Sequence, residues 1–175
     1  MIQRSGDYAA TERSPAPDDP ARAMLRHALA TVAYRAAKCF RGAPTGFDEF
    51  RLSGAVRTPV EIVAHMGDLF DWALWMVKGQ NVWRAATPLP WEQETQRFFR
   101  ALQSLDAYLA SGAPLGCTPA RLMQAPIADA LSHVGQLALL RRAAGAPIHA
   151  ENYATAEIII GVIGPDQPPP RRAGG

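Results

Sequence analysis

The stretch IADALSHVGQLALLRR, residues 127–142, carries Asp129 and His133 four positions apart in an otherwise apolar run. On a helix that spacing puts both side chains on one face, with Cβ atoms about 6 Å apart. A carboxylate oxygen and an imidazole nitrogen so placed can share a cation. A second segment, TPVEIVAHMGDLFDWALWMVKG, carries His65, and projection at about 100° per residue groups it with Glu61, Asp68, Trp72 and Trp75. Two tryptophans do not suit an open, watery face, so His65 is expected on a partly buried, aromatic-lined surface. If the two segments lie side by side, His65, Asp129 and His133 offer three donors and leave positions open to water or substrate, as a catalytic metal site requires. Two imidazoles and one carboxylate suit divalent zinc, nickel or iron, and the donor set does not choose among them.

A plainer reading stands beside this one. Asp129, His133, Gln136 and Leu140 fall within a sector of about 60°, opposite Ile127, Leu131, Val134 and Ala138. Such a stripe is also what the solvated face of an amphipathic helix looks like. A histidine such as His65 can equally be a hydrogen-bonded core residue. Other chemistry has less behind it: His27 lies one turn from arginines, and His149 has no spaced partner. Cys117 lacks a neighbouring base and orienting group, which argues against a cysteine nucleophile. The phosphate-binding patterns GxGxxG and GxxxxGK[ST] are absent.

Four helices are predicted to position these residues. The first opens at DDP, with Asp18 or Asp19 as cap and Pro20 at the first position, carries Met24, Leu25, Ala28, Leu29, Val32 and Ala36 inward, and stops near Gly42. A loop over 43–57 follows, with Phe47 and Phe50 as anchors. The second helix has the clearest start: Thr58, Pro59 and Glu61 form a capping box. Its core row is Ile62, Met66, Leu69 and Ala73, and Ala64, Gly67, Asp71 and Lys78 supply its solvent side. Residues 80–91, with two prolines, are too long for a tight hairpin and read as a crossover along a bundle. The third helix spans Pro90 to Gly112. After a short turn at TPARLMQA, the fourth runs from about Pro126 to Gly145, with Arg141 and Arg142 favouring its C-terminal dipole. The run from Ile158 to Ile163 is β-like but too short to support a sheet, so it is expected as an extended segment packed on the bundle or on a partner subunit. The fold class is thus an all-α four-helix bundle with a long crossover between helices 2 and 3. The expected organisation is a flexible arm over 1–18, one helical domain over 19–165 and a Pro-rich tail over 166–175.

Composition bounds the function. A chain of 175 residues can bury roughly 70% of its unfolded surface without disulfides or structural metal. Hydrophobic residues at 48% and charged residues at 19% fit a globular protein. The net charge of +2 and scattered arginines leave no electrostatic footprint for nucleic acid. Cys39 and Cys117 read as free thiols in a reducing compartment, and no stretch reads as a secretory signal or membrane span. The expectation is a cytoplasmic protein with a small-molecule substrate, no membrane and no nucleic-acid partner.

The segments TPVEIVAHMGDLFDWAL and PIADALSHVGQLALLRRAAGAPIHAENY resemble those of the DinB/YfiT-like superfamily of metal-dependent four-helix-bundle proteins. HVGQL with an upstream histidine on helix 2 is the most recognisable part, and the likeness runs from helix 1 to about Tyr153. The resemblance implies a homodimer, and a metal site made of one histidine on helix 2 and an HxxxH pair on the last helix. His65 and His133 match the first and last of these. Asp129 replaces the middle histidine, either as an oxygen ligand or as a group orienting His133. Characterised members activate a thiol with their metal, so the implied class is a hydrolase or thiol transferase acting through a bound water or low-molecular-weight thiol. Glu61, Asp68 and Gln136 are then candidates to hold ligands or move a proton, and Trp72 and Trp75 to wall the cavity. The alternative is a non-catalytic dimeric bundle with a structural or vestigial polar cluster. DNA binding, which the superfamily's name suggests, has little physical support here.

Overall fold

A computed structural model describes residues 19–170, so the N-terminal arm and the end of the tail lie outside the described residues. Helix α1 spans Pro20–Phe40, with Asp19 accepting from the amides of Ala21 and Arg22. Helix α2 spans Pro59–Val77, and the capping box forms in full: Thr58 Oγ1 accepts from the Glu61 amide and Glu61 accepts from the Thr58 amide. Helix α3 spans Trp91–Ala110. The fourth rod has three parts: α4 (Pro119–Leu122), a π-helical turn (Met123–Ile127) and α5 (Ala128–Ala143). The described residues contain no strand.

The start of the fourth rod is a correction. The turn expected at TPARLMQA is helical, because Thr118 caps it and Pro119 takes the first position. Pro126, read as a helix start, lies inside the rod. Its ring would clash with the carbonyl four residues back in a regular helix. The backbone widens instead, and the Ala128 amide reaches Met123 O, five residues back.

Side-chain pairs fix the direction of each rod. Arg97 on α3 meets Ala64, Asp68 and Asp71 on α2, and Tyr108 meets Val77, so α2 and α3 run parallel. Arg22 and Arg26 on α1 meet Leu109 and Asp106, so α1 and α3 are antiparallel. α2 packs against α5 as well. Parallel neighbours demand a connection as long as the bundle, about 28 Å for the 19 residues of α2, and after the turn at Lys78 and Gly79 the non-helical residues 80–90 provide it.

The core is aliphatic and aromatic, with Leu29, Tyr34, Ile62, Met66, Phe70, Phe98, Leu102, Leu122 and Leu137 among its fully buried side chains. Phe47 is buried and Phe50 packs against the core, anchoring the loop as expected. Three expectations change. Met24 is exposed. Ala64 and Gly67 face α3 instead of solvent, because Arg97 crosses over them: a Cβ on Gly67 would lie 2.8 Å from its guanidinium. The run from Ile158 to Ile163 turns at Gly161, whose φ of 88° favours glycine, and Ile163 packs into the bundle while Ile159 and Ile160 stay exposed.

Candidate metal centre

Helices α2 and α5 bring His65, Asp129 and His133 together. His65 Nε2 lies 3.5 Å from Asp129 Oδ2, and His133 Nε2 lies 3.5 Å from Asp129 Oδ1. The two imidazole centroids are 4.8 Å apart with ring planes at 84°. One ligand atom from each residue can be chosen so that all three lie within 4.8 Å of one another. Zinc–nitrogen and zinc–oxygen bonds of about 2.1 Å in a tetrahedron separate neighbouring donors by about 3.4 Å, so the two nitrogen–oxygen separations fit a shared divalent cation. The donor chemistry fits as well, with two borderline nitrogens and one hard oxygen.

The surroundings orient these groups. His133 is buried, and its Nδ1 lies 2.8 Å from Gln136 Oε1. A carbonyl oxygen only accepts, so Nδ1 carries the proton and Nε2 presents a lone pair towards Asp129. His65 is half-buried, and its pKa is lowered, first by burial, then by the nearby charge of Arg57 and by His133, against the pull of Asp129. The π-helical turn ends two residues before Asp129, a place where such irregularities often serve function.

Sequence reasoning missed Trp83. It sits on the crossover, with its ring 5.6 Å from the His65 ring and 5.8 Å from that of Trp72. No periodicity marks a loop residue, so the only signal was a tryptophan in a proline-rich connection. Trp72 donates from Nε1 to Asn81 Oδ1 at 2.8 Å and lines a cavity of about 420 Å³ together with Leu69, Gln124, Ala128, Asp129 and Ser132. Trp75 instead lies under the Lys78 ammonium, about 15 Å along α2 from His65, and is not brought to the centre.

Glu61 and Asp68 line a second cavity with His65, yet neither hydrogen-bonds to a donor of the centre. Glu61 is engaged in the capping box and with Arg51, and Asp68 accepts from Arg97 and from the Ala86 amide. Of the three candidate supporting residues, the structure puts only Gln136 on a donor. His27 and His149 are exposed and lie outside the cluster, and Cys39 and Cys117 are free thiols. No described helix is long and apolar enough to cross a membrane. No family model matches the chain, and no curated protein or solved structure matches it either.

Proposed function

We propose that the protein is a metal-dependent enzyme of the DinB/YfiT-like type in which His65, Asp129 and His133 hold divalent zinc, nickel or iron. One observation carries this reading: the Nε2 atoms of two histidines from separate helices each lie 3.5 Å from an oxygen of one carboxylate. The long crossover between the parallel helices α2 and α3 is in keeping with the family reading. When bound, such a cation lowers the pKa of a coordinated water or low-molecular-weight thiol and so supplies a nucleophile near neutral pH. The class is therefore a hydrolase or a thiol transferase.

The chain's own residues prepare the site. Gln136 keeps the proton on Nδ1 of His133 and leaves Nε2 free to bind. Trp83 and Trp72 shield the His65 side from water. Gln124 and Ser132 bring polar groups to the cavity beside Asp129.

The test is metal content. Protein purified without a histidine tag, then reconstituted in turn with zinc, nickel and ferrous iron, should hold an equimolar amount of metal that the His133→Ala variant loses. Wild-type protein that takes up none, or a variant that binds equally well, would leave the non-catalytic polar cluster as the surviving account.

A further inference from the structure

The cavity beside His65 contains a charge that the three-donor centre does not use. It has a volume of about 280 Å³, and Arg57, Glu61, His65, Asp68 and Pro88 are among its walls. Both of its carboxylates are committed. Glu61 accepts from the Thr58 amide at 2.7 Å and from Arg51 at 3.3 Å, and Asp68 accepts from Arg97 at 3.0 Å and from the Ala86 amide at 3.1 Å. Arg51 is thus taken up by Glu61, and Arg97 is shared among Asp68, Asp71 and Glu94. Arg57 differs: it is exposed, and its guanidinium forms no hydrogen bond or ion pair with any described residue. An exposed arginine is commonly just solvated. This one shares a concave wall with a histidine of the candidate metal centre, so a guanidinium with no direct partner among the described residues stands beside that centre.

We propose that Arg57 is an anion-binding residue, holding the carboxylate or phosphate of a small organic substrate whose reacting end lies at His65, Asp129 and His133. The guanidinium fork matches either head group through two parallel hydrogen bonds. The cavity lies just below the roughly 300–1,000 Å³ usual for ligand pockets, so its occupant has few heavy atoms and is not a nucleotide. Pro88 and the two crossover alanines of the cavity wall contact the apolar part of such a molecule. This inference deepens the proposed function and rests on it for the role of the anion. Anion binding itself requires only Arg57 and the cavity.

The experiment therefore uses the full chain stripped of metal. Succinate and inorganic phosphate are titrated separately by calorimetry into wild type, Arg57→Gln, Arg57→Lys and, as a remote charge control on α3, Arg100→Gln. At least one probe should bind wild type and the control alike, and Arg57→Gln should raise its Kd by about tenfold or more, the loss expected for a charge-assisted pair. Arg57→Lys should bind with intermediate affinity, because it keeps the charge and loses the fork. The probe that binds identifies the head group. Circular dichroism should be the same for all variants, since Arg57 makes no contact that the fold needs. Failure of both probes to bind wild type, or equal binding by Arg57→Gln, overturns the proposal. Metal uptake measured on the same samples separates the two readings: anion binding without metal uptake removes the metal centre and keeps Arg57, and metal uptake without anion binding does the reverse.

Discussion

Gln136 Oε1 stands 2.8 Å from Nδ1 of His133, and that bond decides which nitrogen of the ring faces Asp129. Without it the imidazole is free to place its proton on Nε2, where it blocks metal binding, and to rotate about its side-chain torsions. Gln136→Ala is therefore expected to weaken metal affinity by about tenfold to a hundredfold, the usual effect of removing such a support. Gln136 is exposed, so the melting temperature of the metal-free protein should stay unchanged. Chelator competition measures the affinity, and a value equal to wild type would mean that the bond does not orient a ligand.

Asp129 was open to two roles, and the geometry favours one of them. A carboxylate that only orients a metal-bound histidine holds the ring nitrogen remote from the metal. Asp129 instead lies on Nε2 of both rings, at 3.5 Å from each, while the remote nitrogen of His133 is held by Gln136. That position supports the donor role. Asp129→Asn should cost more affinity than Gln136→Ala, because it removes the anionic charge from the centre. Asp129→His should retain metal and show an added nitrogen scatterer by X-ray absorption. Tight binding by Asp129→Asn with unchanged absorption would remove Asp129 from the ligand set.

Local rules found the elements that announce themselves locally. Asp19 with Pro20, and Thr58 with Pro59 and Glu61, mark helix starts by hydrogen bonds made within one turn, so they are legible without a partner. The convergence of His65 on Asp129 and His133 was legible because periodicity assigns a face, and a bundle leaves few ways to join faces. Pro126 misled because the same residue that starts helices can be absorbed by a π-helical turn when the flanking residues are packed. Ala64 and Gly67 misled because small residues mark a close approach as readily as a solvent face, and only the position of Arg97 decides between them. Trp83 depended on how a loop lies across two helices, a relation that no short window of sequence contains.

The capping box gives a pH dependence with a definite sign. The Glu61 pKa is lowered, first by the hydrogen bond from the Thr58 amide, against desolvation, and further by the Thr58 hydroxyl and Arg51. A carboxylate whose folded pKa lies below its unfolded value of about 4.3 stabilises the fold above that pH, and the gain disappears as pH falls through the folded value. Urea unfolding at pH 7 should therefore show Glu61→Gln less stable than wild type, and the difference should shrink below about pH 4. Thr58→Ala should cost about 1 kcal/mol at pH 7. A gap that persists undiminished at pH 3 would show that the carboxylate charge is not what stabilises this cap.

Beyond the fourth rod, the chain is clasped to α1 by a buried ion pair. The Lys38 ammonium contacts the Glu151 carboxylate, Tyr34 donates to Glu151 at 2.6 Å, and the Arg35 guanidinium lies 4.3 Å from the centroid of the Tyr153 ring. The Glu151 side chain is 0% exposed and that of Lys38 6%, so removing Lys38 takes a counter-charge away from a buried carboxylate. Lys38→Met is expected to cost about 3–5 kcal/mol by urea unfolding, the range for breaking a buried pair. Replacing both charged residues, Lys38→Met with Glu151→Leu, removes the carboxylate as well as its counter-charge, and buried pairs exchanged for apolar residues are often neutral. The double variant should therefore be more stable than the single one, with a residual deficit from the Tyr34 hydroxyl, which loses its acceptor. Adding Tyr34→Phe should remove most of that deficit. If the double variant is no more stable than Lys38→Met, the loss comes from packing around the lysine stem and the electrostatic account of the clasp is wrong.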